Sequence, residues 1–149
     1  MVWSTERIII RILWALLLTV ALCPIAVAAP STKFNFLMRF YDMNEAAFAY
    51  HRHCLSETEA INPIFLKTLE FVANELIAES IKDTPKMRPE YIKTKILERR
   101  YSIQYSLDRA NIKEGCYSQA SLTAKEHYQE FSNYKNSEIR KFIDEQTGH

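Results

Sequence analysis

The chain has 149 residues, a net charge of +1 at pH 7 and only two glycines, Gly115 and Gly148. Its near-neutral charge removes the electrostatic basis for binding nucleic acid. The shortage of glycine excludes glycine-rich phosphate loops and dinucleotide-binding folds, and it disfavours hairpins whose tight turns need positive φ angles.

The N-terminal segment has the pattern of a secretory signal. Arg7 and Arg11 precede an uncharged apolar run, and small residues at its end favour cleavage after Ala28. Two alternatives stay open. The run of about 18 apolar residues is just long enough to serve as an uncleaved membrane anchor, and Cys23 is a candidate for lipid attachment. We expect the chain to be held at a membrane only if this segment is retained.

Residues 29–149 are predicted to form one helical domain. Loss of residues 1–28 removes Glu6, Arg7 and Arg11, which leaves equal numbers of acidic and basic side chains in the remainder. The remaining length is sufficient for a single domain with a hydrophobic core. The signal pattern places this domain in the periplasm or outside the cell.

Apolar side chains recur at helical spacing throughout this domain, which predicts four helices. The predicted helices span residues 33–55, 63–81, 89–114 and 118–145. Asn62 and Pro63 are typical of a helix start, and Gly115 is typical of a helix end. Short links between the helices predict an all-α fold, an up-down-up-down four-helix bundle. Residues 101–107 also alternate between apolar and polar, so a strand there is the alternative.

Cys54 and Cys116 are the cysteines left after removal of the N-terminal segment. The bundle topology brings the end of the first helix and the start of the fourth to one end of the fold. An even number of cysteines in an exported domain favours a disulfide, and we predict one between these two residues. Free thiols, metal binding and pairing between chains are the alternatives.

The sequence His51-Arg52-His53-Cys54 resembles a metal-ligand cluster, but helical geometry argues against it. On a helix His51 and His53 are about 160° apart and cannot hold the same ion. His51 and Cys54 share a face, yet a site there would need both cysteines reduced. We therefore predict no metal and no cofactor.

His127 is predicted to face inward on the last helix, at about the level of Asn44 and Met43. A hydrogen bond between His127 and Asn44 would satisfy both side chains. The alternative is a haem group held between Met43 and His127.

No motif for a catalytic nucleophile or a metalloprotease occurs in the sequence. We therefore predict no catalytic residue. The leading hypothesis is a non-enzymatic exported protein that acts through protein–protein contact. A carrier of a small ligand, metal or haem in the bundle interior is one alternative, and an enzyme with an unrecognised site is another.

The third helix carries two apolar stripes, although a bundle helix normally buries only one. The second stripe is formed by Leu97, Tyr101, Tyr105 and Ile112. It is predicted to bind an unknown protein partner or a second copy of the chain, because tyrosine is enriched at interfaces. The alternative is that it packs against a neighbouring helix or a chain end. Basic residues between 82 and 100 follow an acidic second helix, which is typical of attraction between neighbouring helices and of solvated faces. Binding of an anionic envelope lipid or an acidic partner to this stretch is the alternative.

Overall fold

The computed structural model of the chain describes residues 29–148, whose regular structure is entirely helical. Its elements are α1 (Thr32–Tyr50), a π-helical turn (His51–Leu55) that continues α1, α2 (Pro63–Asp83), α3 (Pro89–Glu114), α4 (Gln119–Phe131) and α5 (Asn136–Thr147). The predicted all-α fold is confirmed for these residues. The strand alternative is wrong, because residues 101–107 lie within α3. The predicted signal segment, residues 1–28, lies outside the described residues.

Local side-chain and backbone features set where the helices begin and end. The Ser31 hydroxyl accepts a hydrogen bond from the Phe34 amide at 3.0 Å, and the Asn62 side chain accepts one from the Ile64 amide at 2.8 Å. These bonds satisfy amides that have no partner within the first turn. Gly115 follows α3 with a φ of 76°, which favours glycine. The predicted start at Asn62 and the predicted end at Gly115 are confirmed.

Helix α1 lies at the centre of the fold and contacts each of the other four helices. Its buried side chains are therefore spread over most of its circumference. They are Leu37, Phe40, Tyr41, Asn44, Glu45, Ala47, Ala49 and Tyr50. Asn44 and Glu45 are fully buried. A buried carboxylate is stable only when it is paired, so α1 requires a polar partner on a neighbouring helix.

The predicted last helix, residues 118–145, is wrong as a single element, because it is divided into α4 and α5. The Ser132 hydroxyl and the Asn133 amide group donate to carbonyls one turn earlier, at 2.6 Å and 2.7 Å. The Thr68 hydroxyl of α2 donates to the Tyr134 carbonyl at 3.3 Å. Such bonds offer the backbone an alternative to continuing the helix. The described residues thus form five helices, and the four-helix bundle is not confirmed.

Aromatic side chains join α1 and α2 to α4. The Phe40 and Phe131 rings meet edge-on with centroids 4.9 Å apart, as do those of Phe65 and Tyr128. Tyr117 lies outside this aromatic group, although a helical projection of the last segment places it on the same apolar face. It precedes the first turn of α4 and is 88% exposed.

The predicted disulfide between Cys54 and Cys116 is confirmed. Cys54 lies in the π-helical turn and Cys116 in the link before α4, with their Cα atoms 5.8 Å apart. This distance is within the usual range for a disulfide. The bond fixes the end of α1 to the link between α3 and α4.

Candidate protein-contact surface

A seam of polar side chains attaches α3 to α1. The buried Glu45 carboxylate accepts hydrogen bonds from Arg100 Nε at 2.8 Å and Gln104 Nε2 at 3.0 Å. Burial, together with the charge of Glu45, raises the pKa of Tyr41, whose hydroxyl donates to the Ile96 carbonyl at 3.2 Å. These directional bonds fix the rotation of α3 about its own axis.

The seam continues along both helices. Arg52 donates to Gln104 Oε1 at 3.0 Å and to Asp108 Oδ2 at 2.6 Å. At the other end Arg99 pairs with Asp42 through two hydrogen bonds. Residue numbers increase in the same order on both sides of the seam, so α1 and α3 run in the same direction. Hydrogen bonds between charged side chains at both ends of the seam fix the position of α3 along the axis of α1.

The second apolar stripe faces solvent next to the seam, and the seam residue Asp108 lies between Leu97 and Tyr101 around the helix. The exposed fractions are 43% for Leu97, 63% for Tyr101, 63% for Tyr105 and 77% for Ile112. The first apolar stripe of α3 consists of Ile92, Ile96, Ile103, Leu107 and Ala110. It is buried at Ile92, Ile96 and Leu107. The alternative that the second stripe packs against a neighbouring helix does not hold among residues 29–148, because these four side chains remain accessible there.

Two charged side chains, Glu98 and Arg109, lie along one edge of this stripe. The Arg109 guanidinium lies over the Tyr105 ring, 5.8 Å from its centroid, and has no carboxylate partner among the described residues. Glu98 forms an exposed ion pair with Lys95 at 2.7 Å. The sequence prediction omitted Glu98 and Arg109, although a helical projection places both on the same edge of the stripe. Their charges define the rim of the surface.

Four of the seven basic residues in the stretch proposed for lipid binding are held in ion pairs. Its paired cations are Lys82 with Glu79, Lys95 with Glu98, Arg99 with Asp42 and Arg100 with Glu45. Lys86, Arg88 and Lys93 form no ion pair among the described residues. None of the helices described between residues 29 and 148 is long and apolar enough to cross a bilayer. The four ion pairs therefore lower the positive charge of the basic stretch without removing it.

A groove of about 650 Å³ opens between α1, α3 and α4. Its lining is mainly apolar or small and includes Met43 and Ala46 of α1, Ile103 of α3, and Ala120 and His127 of α4. Both side chains considered for haem ligation, Met43 and His127, line this groove. It opens to solvent, unlike the enclosed bundle interior expected from the sequence.

The histidines make structural contacts. His127 stacks on Phe131 with ring centroids 5.8 Å apart, and Asn44 donates to the Phe40 carbonyl at 2.8 Å. The predicted His127–Asn44 hydrogen bond is therefore wrong. His51 Nε2 lies 3.0 Å from the Glu59 carbonyl oxygen. No group of three or more metal-ligating side chains is assembled among the described residues.

No known protein family, curated protein or solved structure compared with this chain matches it. The described residues present an exposed apolar stripe on one side of α3 and an open groove on the opposite side of that helix. The stripe consists of large side chains on a firmly held helix. The groove has a mainly apolar or small lining, and Asp42, Arg99 and His127 are also in its wall.

Proposed function

We propose that this chain is a non-enzymatic exported protein, periplasmic or secreted, which acts by binding another protein through the second stripe of α3. The observation that carries the proposal is the exposure of Leu97, Tyr101, Tyr105 and Ile112 along one helix face. Scattered single apolar residues are normal on a protein surface, whereas a contiguous apolar patch is typical of an interaction site.

The composition of the surface supports a protein partner. Tyr101 and Tyr105 supply large rings that bury much area at a small cost in side-chain entropy, and tyrosine is common among residues that dominate binding energy. Arg109 beside Tyr105 adds a cation at the rim. The polar seam between α1 and α3 holds the α3 helix in place before binding, so association does not have to order its backbone.

Two features support export. The N-terminal residues carry the secretory pattern described above. A disulfide such as Cys54–Cys116 persists mainly in oxidising compartments.

We further propose an up-down-up-down order in which α4 and α5 together take the place of the fourth helix. The Ser31 amide donates to Asp83 Oδ2 at 2.8 Å, which supports an antiparallel α1 and α2. Contacts from Cys54 to Cys116 and from Phe36 to Phe142 support α4 and α5 running back along α1.

Replacing Tyr101 and Tyr105 together by alanine should weaken partner binding tenfold or more, because buried interface tyrosines are frequent hot spots. The native protein and the variant are isolated from the exporting cell with their envelope partners, and retained proteins are quantified by mass spectrometry. Circular dichroism should show unchanged helicity, since neither ring is buried in the domain.

Tyr117→Ala is the matched control, because Tyr117 is a more exposed tyrosine outside the stripe. It should retain partners as well as the native protein does. Equal retention by the stripe variant and this control would remove the proposed contact surface.

A small-ligand carrier is the second candidate function, and the apolar groove between α1, α3 and α4 favours it. The side chains of Met43 and His127 in its wall make haem the ligand to examine first. Native mass and the absorption spectrum of the purified protein test this candidate. Bound ligand mass or a haem band supports a carrier, and a colourless protein of unmodified mass contradicts it.

A further inference from the structure

We propose that the partner of the α3 stripe is a second copy of this chain, with two α3 helices packed antiparallel about a two-fold axis. This inference rests on the proposed function, because it uses the same surface. The axis passes at the level of Ile103 and Gln104. The order of side chains along the stripe is complementary to itself about that level.

An antiparallel pair brings together residues at equal distances on either side of the axis. Glu98 and Arg109 lie on opposite sides of the midpoint, about three turns apart, and within about 20° of each other around α3. Each Glu98 carboxylate therefore faces Arg109 of the second copy. Symmetry forms this ion pair twice, once at each end of the contact.

The apolar side chains follow the same symmetry. Tyr101 and Tyr105 lie close to the midpoint, so Tyr101 of one copy packs beside Tyr105 of the other. Leu97 lies about as far before the midpoint as Ile112 lies beyond it, and these two side chains meet near the ends. The contact has an apolar centre and a charged rim, which is the usual anatomy of an interface.

A parallel two-fold pair would place the two Glu98 side chains on opposite edges of the contact, because both charges lie on one edge of each stripe. The two Arg109 side chains would be separated in the same way, and no pair between Glu98 and Arg109 would form. The antiparallel arrangement instead places Glu98 of one copy and Arg109 of the other on the same edge and at the same level, which forms two attractive pairs. Arg109 has no carboxylate partner within the described chain, and the Glu98–Lys95 pair is exposed and costs little to rearrange. Both charges are therefore accessible for the second copy.

Analytical ultracentrifugation of the purified full chain over a range of concentrations measures dimerisation and tests this inference. Four proteins are compared with the native chain: Glu98→Arg, Arg109→Glu, the double variant, and Lys125→Glu. Lys125 is exposed on α4 outside the stripe and controls for a change in net charge.

We expect the native chain to dimerise, each single reversal in the stripe to weaken dimerisation about tenfold, and Lys125→Glu to leave it unchanged. The double variant should restore dimerisation to within a few-fold of the native value. Glu98 and Arg109 are too far apart to touch within one chain, so this restoration can come only from contact between copies.

A native chain that stays monomeric at several hundred micromolar overturns the inference, and so does a double variant as weak as the single ones. Either result leaves the proposed function standing if the Tyr101 and Tyr105 double variant still loses an envelope partner. Failure of that tyrosine variant to change any association overturns the proposed function itself.

Discussion

Glu45→Ala should lower the free energy of unfolding by about 3 kcal/mol, the low end of the cost of breaking a buried ion pair. The Glu45 side chain is completely buried, and its carboxylate is bonded to Arg100 and Gln104. Truncation leaves the guanidinium and the amide without their acceptor. The lower value of the free-energy cost applies because the Arg100 side chain is 33% exposed, so water can partly hydrate its unpaired charge. Urea denaturation followed by circular dichroism measures the change.

Two further variants identify the source of this loss. Adding Arg100→Met to Glu45→Ala should recover part of the stability, because it removes the unpaired charge. Glu126→Ala, at an exposed position on α4, should change stability by no more than about 0.5 kcal/mol. A loss below about 1 kcal/mol for Glu45→Ala would contradict the role given to the seam.

Replacing Cys54 and Cys116 together by serine should lower the free energy of unfolding by about 4 kcal/mol in the chain-entropy model. The disulfide closes a loop between residues separated by 62 positions, so its loss frees a long segment of the unfolded chain. Total stabilities are typically about 5–15 kcal/mol, so the variant should be marginally folded at elevated temperature.

Reduction of the native protein with dithiothreitol is the control for this variant and should shift the urea midpoint by a similar amount. An unchanged midpoint after complete reduction would show that the bond does not contribute to stability. The α3 stripe lies within the loop that the disulfide closes but contains neither cysteine, so partner binding should survive wherever the domain remains folded.

Local sequence signals were sufficient to predict much of the fold. Asn62-Pro63 and Gly115 act through their own backbone preferences, and the structure places a helix start and a helix end at these positions. The pairing of Cys54 with Cys116 was predicted from the bundle topology, which brings the end of the first helix close to the start of the fourth. Each of these features depends on a residue type with a narrow conformational or chemical range.

The break between α4 and α5 could not be predicted from periodicity, because apolar residues continue through it at Phe131 and Tyr134. It depends partly on a hydrogen bond from Thr68, which is distant in sequence. Burial of Glu45 was not predicted from the sequence either, because a helical projection of apolar residues does not consider carboxylates. Its partner Arg100 lies on another helix, and nothing local in the sequence identifies the pair.

The location of the contact surface was only partly predictable. The helical projection separated the two stripes of α3, but it could not decide which one is buried. The seam from Tyr41 to Arg52 of α1 decides this by fixing the rotation of α3. The charged rim at Glu98 and Arg109 became recognisable only once the stripe between them was known to be exposed.

Site-specific photo-crosslinking tests the contact surface most directly. A benzophenone amino acid is placed at Tyr105 in one protein and at Tyr117 in another, and both are irradiated in the exporting cell. We predict crosslinked protein from position 105, including a dimer of the chain, and little or none from position 117. Crosslinking that is equal at both positions, or absent at position 105, would contradict the assignment of the α3 stripe as the binding surface.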